Sequence, residues 1–188
     1  MTCRNRSGIS LARGVIVAAG VVAALGAVPA HADESSDSAD TRVRFEVVAP
    51  GGLYISAPCA AALSGAPPGG TASGRLGEVR VTDERAARDA TWVAAVTVSR
   101  DFTAAGSHGP EAAISGGHVV YRPGAAIDSF NGPFTPGRPG PVATFRMAFS
   151  HPSGSGSNSV AWNPALSVHV PAAGVAGVYR GVVVHSVA

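Results

Sequence analysis

Apolar residues recur at every second position along most of this chain and almost nowhere at helical spacing. Successive side chains of an extended strand point to opposite faces, so such alternation marks half-buried strands. Val43, Phe45 and Val47 alternate with Arg44 and Glu46, and Leu53, Ile55 and Ala57 with Tyr54 and Ser56. Leu76, Val79 and Val81 are interleaved with Glu78 and Arg80; Trp92, Ala94, Val96 and Val98 form one face opposite Thr97 and Ser99. Leu166, Val168 and Val170 make a further strand, and Val178, Val182 and Val184 share a face in the run 178–187. Shorter strands are expected at His118–Arg122 and Val142–Phe149.

About eight strands separated by turn residues predict a single all-β domain, an antiparallel β-sandwich of immunoglobulin-like, Greek-key type. Breakers fill the connections: Pro67-Pro68-Gly69-Gly70, Pro136-Gly137-Arg138-Pro139-Gly140-Pro141, and the Ser/Gly run 153–159. Asp83–Asp89 is the one segment with the composition for a helical turn. Arg122–Pro141 is too rich in Pro and Gly for regular structure and is a candidate border of a binding surface.

The N-terminus has the layout of a secretory signal. Arg4, Arg6 and Arg13 precede the apolar stretch Gly14–Val28, which is followed by Pro29, Ala30-His31-Ala32 and acidic Asp33-Glu34. Ala30 and Ala32 are the small residues a signal peptidase requires, which predicts cleavage after Ala32. The apolar stretch is shorter than the roughly 20 residues that span a bilayer, so no membrane anchor is expected after cleavage. Cys3 lies in the basic region and not behind an apolar box, which does not fit lipidation. Residues 33–40 contain only Ser, Asp, Glu and Ala and read as a disordered leader, leaving 41–188 as the domain.

With three arginines gone, the 14 basic residues fall to 11 against 12 acidic ones, a net charge of −1 with histidine neutral. No polybasic run remains, so nothing electrostatic points to nucleic acid or acidic lipid as a partner. Cleavage after Ala32 would also remove Cys3, so no intrachain disulfide is expected in the mature chain; the apolar setting of Cys59, Ala57–Leu63, suits a small core residue.

Catalytic patterns are thin. Gly154-Ser155-Gly156 lies in a Ser/Gly-rich loop and lacks the strand-to-helix context of a nucleophile elbow. His108, His118, His151, His169 and His185 show no local metal-ligand spacing, so convergence would have to occur across strands; solvated loop or strand-face positions are expected for them. Asp83, Glu84, Asp89 and Asp101 sit at strand ends, where acids cap turns. The chain therefore reads as a non-enzyme without metal or cofactor, with an unrecognised secreted hydrolase as the remote alternative. Trp92 shares its face with Val96 and Val98 and is expected in the core, whereas Trp162, before Asn163-Pro164, is expected as an exposed rim ring. Tyr121, Phe134 and Tyr179 are further candidate surface rings.

Five segments in order resemble the secreted WxL-like proteins of actinobacteria, distant relatives of the WxL cell-surface domain of low-GC Gram-positives. They are Phe45–Val47 with Gly52–Pro58; Leu76–Arg85; Trp92 with Val96–Thr103; Trp162–Leu166; and Pro171 with Ala176–Val187. The resemblance implies a β-sandwich that associates non-covalently with peptidoglycan or another wall polymer, at the cell surface. It makes Trp162, Trp92, His185 and Tyr179 the candidate wall-binding residues. The chain departs from the family signature at Trp92-Val93-Ala94, with Ala for Leu, and at His185-Ser186-Val187, with His for Trp. The alternative is a structural or adhesion subunit that contacts other surface proteins without binding sugar.

Overall fold

The computed structural model describes residues 2–3, 42–106 and 109–188. The expected signal peptide lies outside the described residues except for Thr2–Cys3, and Ala30, Ala32, His108 and the leader 33–40 lie wholly outside them. The chain divides into two units, residues 6–47 and residues 1–5 with 48–188.

In the second unit the strands in chain order are β1 (Thr2–Cys3), β2 (Leu53–Pro58), β3 (Thr71–Arg75), β4 (Val79–Asp83), β5 (Trp92–Ala104) and β6 (Ala113–Ile114). They continue as β7 (Val119–Arg122), β8 (Ala126–Phe130), β9 (Thr135–Pro136), β10 (Gly140–Pro141), β11 (Arg146–His151), β12 (Asn158–Trp162), β13 (Ala165–His169) and β14 (Tyr179–Val187). Helix among the described residues is limited to two 3₁₀ turns, Pro110–Ala112 and Gly116–His118. The domain is an all-β antiparallel sandwich.

Its sheets run β1-β2-β4-β12-β8, β10-β7-β13-β3 and β14-β5-β11-β9, with β6 on the edge of β5. The pairings β12 with β4, β13 with β3 and β14 with β5 join segments far apart in sequence, as Greek-key returns require. Alternation decides which faces turn inward: Val79 and Val81 of β4, Val160 and Trp162 of β12, Leu166 and Val168 of β13, and Trp92, Ala94 and Val96 of β5 are all buried. All three sheets feed one core cluster. Phe149 of β11 and Trp162 of β12 stack in it with centroids 4.7 Å apart. At Gly181 the β14 register slips, and the Phe102 ring of β5 occupies the space a Cβ would need.

Several expectations need correction. Residues 42–47, in the other unit, form no strand although Val43, Phe45 and Val47 alternate, and Phe45 is 82% exposed. Alternation supplies an apolar face but not a surface to bury it; Gly51, in the sheet-forming unit, bonds the Glu84 carbonyl through its N–H at 3.3 Å. Asp83–Asp89 forms no helical turn, and Ala86 has φ +49°, which interrupts a right-handed turn. Arg122–Pro141 is not irregular throughout, since β8 pairs with β12, β9 with β11 and β10 with β7. The Val142–Phe149 strand starts at Arg146, and Val142 instead bonds the Val119 carbonyl at 2.9 Å. The Ser/Gly loop ends early because Asn158 and Ser159 already pair with β4. Cys59 is exposed where β2 ends, not in the core, and in the full-length chain it is disulfide-bonded.

Candidate functional site

The four candidate wall-binding residues do not form one site. Trp162 has no exposed surface, because the alternation Asn158, Val160, Trp162 carries its ring to the core face of β12. The expectation of an exposed rim ring is thereby overturned. Trp162 Nε1–H donates to the Tyr121 hydroxyl at 2.9 Å, and that hydroxyl is 3.1 Å from His185 Nε2. Tyr121, expected as a surface ring, is fully buried on β7. Burial pushes its phenol well above the usual range, against the opposing hydrogen bond from Trp162. His185 on β14 is half-buried, and desolvation lowers its pKa to about 4. One side chain from each sheet thus meets at one hydroxyl. His185 also lines a cavity of about 110 Å³ with Ala57, Pro58, Leu76 and Val183.

Trp92 is buried as expected, in a separate network. Its Nε1–H donates to Asn158 Oδ1 at 2.8 Å, Asn158 Nδ2 donates to Asp83 Oδ2 at 3.3 Å, and Arg85 grips the same carboxylate through Nε at 2.9 Å and Nη2 at 2.8 Å. Burial alone would raise the Asp83 pKa, but the bonds from Arg85 and Asn158 outweigh it and hold the carboxyl below its ordinary value. Phe134 packs on Trp92 at 5.8 Å and on His151 at 5.0 Å, so it serves the core edge. His151, expected to be solvated, is buried there with Nδ1 2.7 Å from the Pro133 carbonyl; among the described residues Nε2 has no partner. Tyr179 is half-buried, with its hydroxyl spent on the Val175 carbonyl at 2.9 Å. Neither tryptophan therefore presents a ring on which a polymer could stack.

The outer face of the β2-β4-β12-β8 sheet has the features the tryptophans lack. Register sets Tyr54 opposite Thr82, Thr82 opposite Ser159, and Ser159 opposite Phe130. Directly paired residues of antiparallel strands share a face, so these four form one row. The inward neighbours Ile55, Val81 and Val160 belong to the core side, which turns the row outward. Tyr54 is 48% exposed and Phe130 66% exposed, one at each end, with two hydroxyls between them. Three interstrand steps separate the backbone positions of Tyr54 and Phe130 by about 14 Å. The Tyr54 hydroxyl accepts the Gly52 N–H at 3.1 Å.

The next row is Ser56, Arg80, Ala161 and Asp128. Arg80 donates to Asp128 at 2.8 Å and to Glu78 at 3.0 Å, spanning the buried Ala161 and holding these side chains beside the ring-to-ring row. Those bonds, that to Asp128 first, raise the guanidinium pKa further. The arrangement offers two apolar ring faces, neutral hydroxyls and a compensated charge cluster. It suits a neutral or zwitterionic polyhydroxylated chain better than a polyanion.

Sequence reasoning missed this row. Tyr54 was visible as the outward member of the Leu53/Ile55/Ala57 alternation, but Phe130 lay in a stretch whose pairing partner is not a sequence neighbour.

Among the described residues no helix is long and apolar enough to cross a membrane, and no group of three or more His, Cys, Asp or Glu side chains is placed to hold a metal ion. Compared with protein-family models, with curated proteins and with solved structures, the chain matches none of them.

Proposed function

We propose that this chain is an exported, non-covalent cell-wall binding module that takes a wall glycan on the outer face of the β2-β4-β12-β8 sheet. The observation that carries this reading is the Tyr54–Thr82–Ser159–Phe130 row. Two exposed rings carried on strands about 14 Å apart match the reach of a short oligosaccharide lying across the strands. Hydroxyls between the rings can exchange hydrogen bonds with sugar hydroxyls and amides without desolvating a net charge. The secretory pattern at residues 1–32 and the WxL-like order of segments support the same reading.

Titration calorimetry with soluble glycan strands released from Gram-positive walls tests it. Saturable binding that weakens in Tyr54→Ala and in Phe130→Ala supports the proposal, and absence of binding removes it.

A second reading, a structural or adhesion subunit without sugar affinity, is favoured by β14. This nine-residue strand is the edge of its sheet and exposes Val182 and Val184. A long apolar edge is a template for strand addition by another protein. Self-association or capture of a surface protein, lost when Val184 is replaced by Lys, would select this reading if glycan binding fails.

A further inference from the structure

His118 and His169 are unrelated in sequence, but the β7-β13 ladder brings them together. Its last registered pair is Val168 opposite Val119, and the next step of the same register sets His169 opposite His118. Both residues are exposed, and their rings lie nearly parallel with centroids 6.2 Å apart and planes 26° from one another. Neither imidazole makes a hydrogen bond among the described residues.

The backbone beneath them is fixed on both sides. His118 N–H bonds the Ser115 carbonyl at 3.0 Å. Past His169, Val170 exchanges bonds with the 69–70 turn, Gly69 N–H to the Val170 carbonyl at 3.0 Å and Val170 N–H to the Gly70 carbonyl at 2.9 Å. Thr71 of β3 faces His169 from the other side and adds a hydroxyl to the same row.

We propose that His118 and His169 form a two-imidazole site for a first-row transition-metal dication of the Cu²⁺, Ni²⁺ or Zn²⁺ class, with water in the remaining positions. Imidazole nitrogen suits these ions, and two donors on adjacent strands form a chelate without reorganising the chain. With metal–nitrogen bonds of about 2.0–2.1 Å and a tetrahedral angle, the two ring centroids would stand roughly 5 Å apart. The observed 6.2 Å is therefore closed by a side-chain adjustment of about 1 Å, within the reach of χ1 and χ2 rotation. Cu²⁺ should bind most tightly, by the usual order of divalent affinities. The site is on a different sheet from the glycan row, so it stands or falls independently of wall binding.

The test uses tag-free, chelator-treated full-length chain titrated with Cu²⁺ and followed by electron paramagnetic resonance, with Zn²⁺ followed by calorimetry. One saturable equivalent with nitrogen hyperfine coupling is expected. His118→Ala and His169→Ala should each lower the affinity by about tenfold or more, and the double variant should abolish it. Circular dichroism and melting should be unchanged, because both side chains are at the surface. Absence of saturable binding by either ion, binding retained in the double variant, or sensitivity to only one of the two histidines would overturn the proposal.

Discussion

The Tyr121 hydroxyl stands 3.1 Å from His185 Nε2, and this pair fixes the protonation of three side chains. Trp162 Nε1–H can only donate, so Tyr121 accepts from it at 2.9 Å and has its single proton left for His185. His185 is then the neutral tautomer with its proton on Nδ1. Because Trp162, Tyr121 and His185 come from different sheets, the chain of bonds ties the three sheets together at one point. The histidine at residue 185 thus has a structural consequence: the imidazole accepts a bond that an indole could not.

Tyr121→Phe keeps the ring and deletes the hydroxyl, which strands the Trp162 N–H and leaves His185 Nε2 without its donor. Leaving a buried polar group unpaired costs about 1–3 kcal/mol. Urea unfolding should show a lower midpoint at an unchanged slope; an unchanged midpoint would mean that the three-sheet junction contributes nothing.

Acid should weaken the fold through His185. Its pKa is about 4 in the native domain against 6.5 for an ordinary imidazole, the cause being burial. Between those values the unfolded chain binds a proton that the native chain does not, so stability falls as pH drops from about 6.5 to about 4 and this contribution levels off below that. The loss should be about 3 kcal/mol. His185→Gln still accepts from Tyr121 but does not titrate, and it should flatten the pH dependence across that window. A variant that follows the wild-type curve contradicts the assignment. Asp83 acts lower: its carboxyl is held below 3.8, so its contribution is present above that pH and is lost as pH falls through the depressed native value.

Trp92→Ala removes a buried ring and should cost about 3–5 kcal/mol. The bond from Trp92 to Asn158 can be separated from ring packing by a cycle of Trp92→Phe, Asn158→Leu and the double variant. The coupling should fall in the range of about 0.5–3 kcal/mol expected for contacting residues, and strict additivity would deny the bond.

Replacing Ala30 and Ala32 with bulky residues should leave an uncleaved precursor, because signal peptidase accepts only small side chains there. Mass spectrometry of wild-type secreted protein should find a mature chain beginning at Asp33, and an intact N-terminus would contradict it.

Strands whose apolar face is continuous were legible in the sequence, such as Trp92–Val98 and Leu166–Val168, because burial and period agree there. β3 was not, since Thr71-Ala72-Ser73-Gly74-Arg75 has no apolar run and is held at a sheet edge by its pairing with β13. β12 was obscured by the Ser/Gly segment before it, and with it went the burial of Trp162, although Asn158, Val160 and Trp162 have the period of a strand. The converse failure is Val43–Val47, where the period is present and no strand forms. The contact of Tyr121 with His185 depends on packing between two sheets, and the common row of Tyr54 and Phe130 on three successive strand registers, which no local pattern records.

Because Trp162 is interior, Trp162→Ala tests folding and cannot report on a polymer contact. The exposed rings of the Tyr54–Phe130 row can, and co-sedimentation with purified Gram-positive walls in high salt is the most direct measurement. High salt screens any attraction between charges, so binding through ring faces and hydroxyls should persist. Wild-type chain is expected in the pellet, Tyr54→Ala and Phe130→Ala should each weaken binding by about tenfold, and the double variant should remain in the supernatant with an unchanged melting temperature. Wild-type chain left in the supernatant at every salt concentration, or a folded double variant that pellets as well as wild type, would contradict the account.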